Sequence, residues 1–220
     1  MTLLTFANLL TYFRIILILP FLYFLFLDKD NALGISEFLA RLIAFIIFIV
    51  ASVTDFFDGY LARVLKEESK IGQFLDPLAD KFLVSSAFIA FLQIDGGIIP
   101  FWMVILVLFR EFLITGLRIT ALSQSREVET MTLGKAKTTF QIMTILVILL
   151  FIVLKAYFIP EHYQSPVTLL DFLSHFGDKY YVGKYLLRYA PYFLMLLTTI
   201  ITVFSGIRYL YKNRSLIIGD

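Results

Sequence analysis

Residues 55–81 read DFFDGYLARVLKEESKIGQFLDPLADK and carry four aspartates. Asp55 and Asp58 are three residues apart and Asp76 and Asp80 are four apart, so each pair occupies one face of a helix. Four carboxylates gathered near hydrocarbon would repel one another and resist desolvation unless cations lay among them. Carboxylate oxygens suit Mg²⁺, Mn²⁺ or Ca²⁺. The stretch therefore predicts a metal site between two helices.

The composition indicates an integral membrane protein. The 220-residue chain is 60% hydrophobic and 16% charged, whereas soluble domains are about half apolar and about a quarter charged. The absence of cysteine excludes disulfides and thiolate metal sites. Apolar runs of about 20 residues can cross a bilayer. Six such runs predict an all-α bundle of six transmembrane helices in one catalytic domain over residues 1–220: 9–27, 38–61, 73–92, 98–122, 138–159 and 186–210.

The regions outside these runs predict orientation. The N-terminus has no basic leader or small-residue cleavage site, so the first run is expected to be a retained span. Lysine and arginine are more frequent in the connectors that lie on the same side as the termini, which predicts cytoplasmic termini and a cytoplasmic aspartate site in the cell membrane. The segment 163–185 mixes apolar and charged residues and is compatible with a short helix on the opposite membrane surface.

The aspartate stretch resembles the signature of the CDP-alcohol phosphotransferases. The pattern D-x-x-D-G-x-x-A-R, then eight residues, then G-x-x-x-D-x-x-x-D is complete. Its eight fixed positions are Asp55, Asp58, Gly59, Ala62, Arg63, Gly72, Asp76 and Asp80. The resemblance implies transfer of a substituted phosphate from a CDP-linked donor to an alcohol, with release of CMP. It implies two divalent cations, Mg²⁺ or Mn²⁺, held on the donor diphosphate by Asp55, Asp58 and Asp76.

The resemblance leaves two roles open to Asp80, which could ligate a metal, act as the general base, or do both. Phosphoryl displacement needs charge neutralisation on the diphosphate and an in-line nucleophile. A carboxylate beside the attacking hydroxyl activates this nucleophile by accepting its proton. We assign Asp80 to that role mainly on the resemblance.

Six further residues are candidates for binding the CDP donor. Gly59 and Ala62 share a face with Asp55 and would let a ligand approach the backbone, or would only allow close helix packing. Arg63 could pair with a donor phosphate or neutralise a nearby aspartate. Two polar residues of the first helix, Asn8 and Thr11, and one further glycine, Gly72, are also candidates. The full set is Asn8, Thr11, Gly59, Ala62, Arg63 and Gly72. The N-x-x-T-x-x-R stripe that includes Arg14 is similar to one in the family, although snorkelling to the interface would also explain it.

Cations in the fourth run and just before the fifth predict an anionic acceptor. Arg110, Arg118, Lys135 and Lys137 would form a basic pocket for a phosphate dianion. Alternatively, Arg110 would pair with Glu111 or a neighbouring helix, and Arg118 would only end its span. The runs REFLITGLRITA and LGKAKTTFQ resemble those of the phosphatidylglycerolphosphate synthases, which use glycerol 3-phosphate as the acceptor.

The function expected from these resemblances is phosphatidyl transfer from CDP-diacylglycerol to glycerol 3-phosphate. The nearest alternative is the same chemistry with inositol phosphate, phosphatidylglycerol or serine as the acceptor. A cation transporter would place its carboxylates near the midplane within repeated halves, and the chain shows no repeat. A purely structural membrane protein leaves the aspartates unexplained. The family resemblance implies a homodimer in the lipid bilayer, and no nucleic-acid partner is expected.

Overall fold

A computed structural model describes residues 6–27, 33–65, 81–94, 98–123, 132–158, 174 and 178–214. Within these ranges, side chains are not described at 6–11, 55–65, 118, 120–123, 132–136 and 180. The described residues contain no strand and form six helices of ten residues or more. They are α1 Phe6–Leu25, α2 Glu37–Leu65, α3 Lys81–Ala90, α4 Phe101–Ser123, α5 Thr132–Phe158 and α6 Lys179–Lys212. The all-helical six-helix prediction is confirmed.

Local chemistry explains several helix ends. Before α2, Gly34 adopts φ 64°, a conformation that glycine enters at little cost. Ser36 then caps the helix, since its Oγ accepts a hydrogen bond from the Leu39 N–H at 3.3 Å. Pro100 precedes α4, where its missing N–H leaves no helical bond unmade. At the end of α6, the Asn213 side chain donates to the Tyr209 carbonyl at 3.0 Å.

The helices pack through small and aromatic residues. Helix α1 lies against α2, α2 also contacts α5, and both α4 and α5 contact α6. Phe21 of α1 and Phe48 of α2 are fully buried, with their ring centroids 5.5 Å apart. Ala44 and Ala51 are also fully buried, and they bring the backbone of α2 close to its neighbours.

The outer surface of the bundle is apolar. Large side chains such as Leu19, Phe109 and Phe204 are 63–72% exposed. A soluble monomer rarely exposes a continuous apolar surface of this kind. Three helices contain stretches long and apolar enough to cross a membrane, Glu37–Thr54, Lys137–Phe158 and Tyr181–Lys212, and α1 and α3 contribute shorter apolar stretches. The chain is an integral membrane protein.

The helices and the predicted spans differ at their ends. Helix α2 continues four residues past the predicted span, and α5 starts six residues before its span. Helix α6 has 34 residues, about 51 Å at about 1.5 Å per residue, which is longer than the hydrocarbon thickness of about 30 Å. Residues 179–185, predicted as part of a separate surface segment, are the first two turns of α6. The rest of that segment lies outside the described residues, apart from Ser174 and Asp178.

Candidate active site

The first half of the aspartate motif lies on the last turns of α2. This helix is continuous through positions 55, 58, 59, 62 and 63 to Leu65. The helical spacing predicted for Asp55 and Asp58 is therefore present in the backbone, with the two positions on one face of the helix. Gly72, Asp76 and Asp80 lie outside the described residues, as do the side chains on the last turns of α2.

The metal prediction rests on the chemistry of the donor set. Four aspartate carboxylates are hard oxygen ligands of the kind that Mg²⁺ and Mn²⁺ prefer. Among the residues whose side chains are described, no group of three or more His, Cys, Asp or Glu could hold a metal ion. All four aspartates of the motif are outside that set.

A single carboxylate on α4 joins cations from three helices. Glu111 Oε2 lies 3.2 Å from Nζ of Lys81, at the start of the described part of α3. Glu111 Oε1 lies 3.2 Å from a guanidinium nitrogen of Arg110. The same oxygen is paired with the ammonium of Lys137 on α5. We call these four residues the Glu111 cluster.

Neutral polar side chains extend the cluster towards α6. Gln141, one helical turn after Lys137, lies with its amide nitrogen 3.4 Å from both Glu111 Oε1 and the Thr202 hydroxyl. The Arg110 guanidinium donates to the Ser205 hydroxyl at 3.2 Å. Further along α5 and α6, the Thr144 and Thr198 hydroxyls are 2.8 Å apart. Helices α4, α5 and α6 are thus joined by side-chain hydrogen bonds at matching heights.

The Glu111 cluster is shielded from solvent. The side chain of Lys137 is 2% exposed, and those of Arg110, Glu111 and Lys81 are 12%, 13% and 18% exposed. Charges in such surroundings are stable only when paired and hydrogen-bonded. Glu111 supplies a carboxylate partner for Lys81, Arg110 and Lys137, as their burial requires.

The packing of α6 against Arg110 depends on a glycine. A Cβ atom on Gly206 would lie 2.7 Å from Cγ and 3.4 Å from Nε of Arg110. Cγ is near the base of the arginine side chain, and the guanidinium is already bonded to Ser205 and Glu111. The arginine therefore cannot move aside without breaking these contacts.

The four predicted acceptor-binding cations fall into two groups. Arg110 and Lys137 belong to the Glu111 cluster, so the pairing of Arg110 with Glu111 and a neighbouring helix is present. Arg118 lies on α4 and Lys135 on α5, and their side chains are outside the described set. Binding of the acceptor by any of the four cations stays a prediction.

The polar stripe on α1 is partly described. Asn8 and Thr11 lie on the helix, but their side chains are not described. Arg14 is 1% exposed and has the largest of the fully buried side chains among the described residues. A snorkelling arginine extends its charged group towards water, so the burial of Arg14 argues against that explanation and favours an inward role.

Several polar residues of this region escaped the sequence analysis. The sequence patterns described above do not single out Lys81, Gln141, Thr202 or Ser205, and they indicate Glu111 only as a partner of Arg110. Two signals point to them: a carboxylate near the middle of an apolar run, and the spacing of Lys137 and Gln141 on one helical face. Thr198, Thr202 and Ser205 likewise recur every three or four residues on α6.

Comparison with known proteins agrees with the motif. The family model described as CDP-alcohol phosphatidyltransferase matches residues 4–204. The chain belongs to this family. The CDP-alcohol phosphatidyltransferase model covers all the helices described above except the last turns of α6, so the Glu111 cluster lies within the family domain.

Three curated relatives share the same name, CDP-diacylglycerol–glycerol-3-phosphate 3-phosphatidyltransferase. The protein of Bacillus subtilis is 43% identical over 138 residues, which cover 63% of this chain and 68% of the relative. That of Cereibacter sphaeroides is 45% identical over 112 residues, 49% of each chain. That of Rickettsia bellii is 40% identical over 117 residues, 53% of this chain and 63% of the relative. The chain thus spans about half to two thirds of these relatives.

The close contact at Gly206 predicts a selective effect on stability. Gly206→Ala should displace Arg110 from Ser205 and Glu111, with the cost of about 1–3 kcal/mol that is typical of overpacking. We expect a lower Tm in detergent, measured by thermal unfolding. Gly183→Ala, in the same helix, is the matched control because nothing lies within 4 Å of its added Cβ. Equal Tm values for the two variants would contradict the tight packing of Arg110.

Proposed function

We propose that this protein transfers the phosphatidyl group of CDP-diacylglycerol to glycerol 3-phosphate, forming phosphatidylglycerol phosphate and CMP. The observation that carries the proposal is the complete eight-position motif, whose first half lies on the last turns of α2. The family match and the shared name of the relatives support it. The cation-rich region on α4 and α5 supports a phosphorylated acceptor.

The donor is expected to bind at the motif. Asp55, Asp58 and Asp76 would hold two divalent cations, Mg²⁺ or Mn²⁺, on the donor diphosphate. When bound, such cations neutralise the diphosphate and make CMP a better leaving group. Gly59 and Ala62 would let the donor approach the helix closely. The other donor-binding residues that we propose are Asn8, Thr11, Arg63 and Gly72.

The chemical step requires removal of one proton. Asp80, which would also ligate a metal, is proposed to accept it from the attacking hydroxyl of glycerol 3-phosphate. The hydroxyl oxygen then forms a bond to the phosphorus of the phosphatidyl group as the bond from that phosphorus to the CMP oxygen breaks. The proton stays on Asp80 until water removes it.

The acceptor is a small dianion and needs cationic ligands. Arg118 and Lys135 are our candidates for direct contact with its phosphate, because a guanidinium or ammonium forms charge-assisted hydrogen bonds with phosphate oxygens. Arg110 and Lys137 would add positive charge from the Glu111 cluster. We propose that the site and both termini lie on the cytoplasmic side and that the enzyme is a homodimer.

CMP release with a panel of acceptors tests the proposed function. In detergent, with CDP-diacylglycerol and Mg²⁺ or Mn²⁺, we expect CMP with glycerol 3-phosphate and little with inositol phosphate, phosphatidylglycerol or serine. Chelation of the divalent cation should abolish release, and restoring the cation should recover it. Preference for another acceptor would support phosphatidyl transfer from CDP-diacylglycerol but would identify a different acceptor substrate. No CMP with any acceptor, together with cation flux in vesicles, would favour the transporter alternative.

The base role of Asp80 predicts a loss of turnover without a loss of donor binding. General-base catalysis contributes about 10²–10⁴-fold, so Asp80→Asn should lower kcat by about 100-fold or more while CDP-diacylglycerol still binds. Single-turnover CMP release and donor binding measure the two effects. Asp178→Asn, an exposed position before α6, is the control and should behave as the parent enzyme. Near-normal turnover of Asp80→Asn would refute the base assignment.

The acceptor pocket predicts an asymmetric effect of Arg118. A hydrogen bond to a charged group is worth about 1.5–3 kcal/mol, so Arg118→Ala should raise the KM for glycerol 3-phosphate about tenfold or more. The KM for CDP-diacylglycerol should change little. Arg188→Ala removes an arginine that lies over the Tyr189 ring in the first turns of α6 and serves as the control. Equal increases in both KM values would contradict an acceptor pocket at Arg118.

A further inference from the structure

The Glu111 cluster connects two parts of the chain to which the proposed function gives different tasks. Lys81 directly follows Asp80 in the sequence. Lys137 lies two residues after Lys135 on α5, about 3 Å further along the helix axis. Both lysines contact the carboxylate of Glu111. One side chain on α4 therefore links the segment carrying the proposed base to the helix carrying a proposed acceptor cation.

We propose that Glu111 is a positioning residue for the acceptor. By pairing with Lys81 and Lys137, it sets the separation between the proposed base and the proposed phosphate-binding cations. This inference rests on the proposed function and adds to it a residue that is neither a metal ligand nor part of the aspartate motif. Glu111 acts through the lysines and does not itself contact the acceptor, because a carboxylate would repel the phosphate.

The surroundings of Glu111 make it suited to this task. Its two oxygens contact different helices. Oε2 contacts Lys81 of α3, and Oε1 contacts Arg110 of α4 and both Lys137 and Gln141 of α5. Gln141 is buried and also contacts Thr202 of α6. These contacts fix the carboxylate on several sides. In low-dielectric surroundings the charge interactions are strong, so a shift of Glu111 would shift both lysines.

The decisive variant is Glu111→Gln, which keeps the size of the side chain and removes its charge. Without the carboxylate charge, the contacts of Lys81 and Lys137 with Glu111 weaken, and Glu111 no longer fixes the separation of the two lysines. We expect the KM for glycerol 3-phosphate to rise about tenfold or more, corresponding to about 1.4 kcal/mol. The KM for CDP-diacylglycerol should stay within about twofold. A merely structural role would lower the amount of folded enzyme or change both KM values together.

A matched control is available at another carboxylate of the chain. Glu37 pairs with Arg41 across one turn of α2 at 3.6 Å, and it lies at the start of α2, whereas the motif lies at its end. Glu37→Gln also removes one carboxylate charge from a glutamate–arginine pair. Both KM values of Glu37→Gln should equal those of the parent enzyme.

Two further variants cover the case in which Glu111→Gln folds poorly. Lys81→Met removes the ion pair between Lys81 and Glu111 at a partly exposed position. It should raise the acceptor KM severalfold and leave the donor KM unchanged. The double variant Glu111→Gln/Lys137→Met tests coupling, because residues acting as one unit give non-additive effects. Because Lys137 also adds charge for the acceptor, the acceptor KM of the double variant can exceed that of Glu111→Gln, but the increase should be smaller than the product of the increases in the single variants Glu111→Gln and Lys137→Met.

The outcomes separate this inference from the proposed function. Absence of CMP release by the parent enzyme with every acceptor would refute the proposed function. If the parent enzyme is active, an unchanged acceptor KM in Glu111→Gln and Lys81→Met would overturn the positioning role. Equal increases in both KM values would overturn it as well, as would effects of Glu111→Gln and Lys137→Met that multiply in the double variant.

Discussion

The ion pairs of Glu111 are the constraint on which the polar interior of this bundle depends. Removing one partner from a buried pair typically costs about 3–5 kcal/mol, whereas a hydrogen bond between membrane helices averages about 0.6 kcal/mol. The contacts to Lys81, Arg110 and Lys137 therefore outweigh the hydroxyl and amide contacts beside them. Because these cations come from α3, α4 and α5, one carboxylate determines the relative height of three helices.

Helix α6 completes the arrangement by presenting different chemistry on its two sides. Thr198, Thr202 and Ser205 are buried and face α4 and α5, where they contact Thr144, Gln141 and Arg110. Phe204 and Ile207 on the other side are more than 60% exposed and suit lipid. Gly206 lies between these groups and leaves room for Arg110. A helix with this pattern is held by polar contacts inside and by hydrocarbon outside.

The sequence predicts the number and order of the helices well, because apolar length marks each span directly. It predicts their ends less well: hydropathy marks the part in lipid, whereas backbone hydrogen bonds continue beyond it, as in α5 and α6. The long-range contacts of Glu111 were harder to predict, since Lys81 and Gln141 are each 30 residues from Glu111. No local pattern pairs residues at that separation. The motif aspartates, by contrast, are recognised by spacing alone.

The cations proposed to bind the acceptor bear on the choice of acceptor. A glycerol 3-phosphate dianion that contacted Arg118 and Lys135 would gain electrostatic energy as it leaves water, which offsets part of its own desolvation. Serine has no net charge and gains less from the same field, so its desolvation is less compensated. Both proposals, the phosphorylated acceptor and the positioning role of Glu111, therefore depend on charged residues of α4 and α5. The Glu111 carboxylate makes it possible to bury three cations within a membrane protein, and its pair with Lys137 joins α4 to α5, the two helices that carry the proposed acceptor cations.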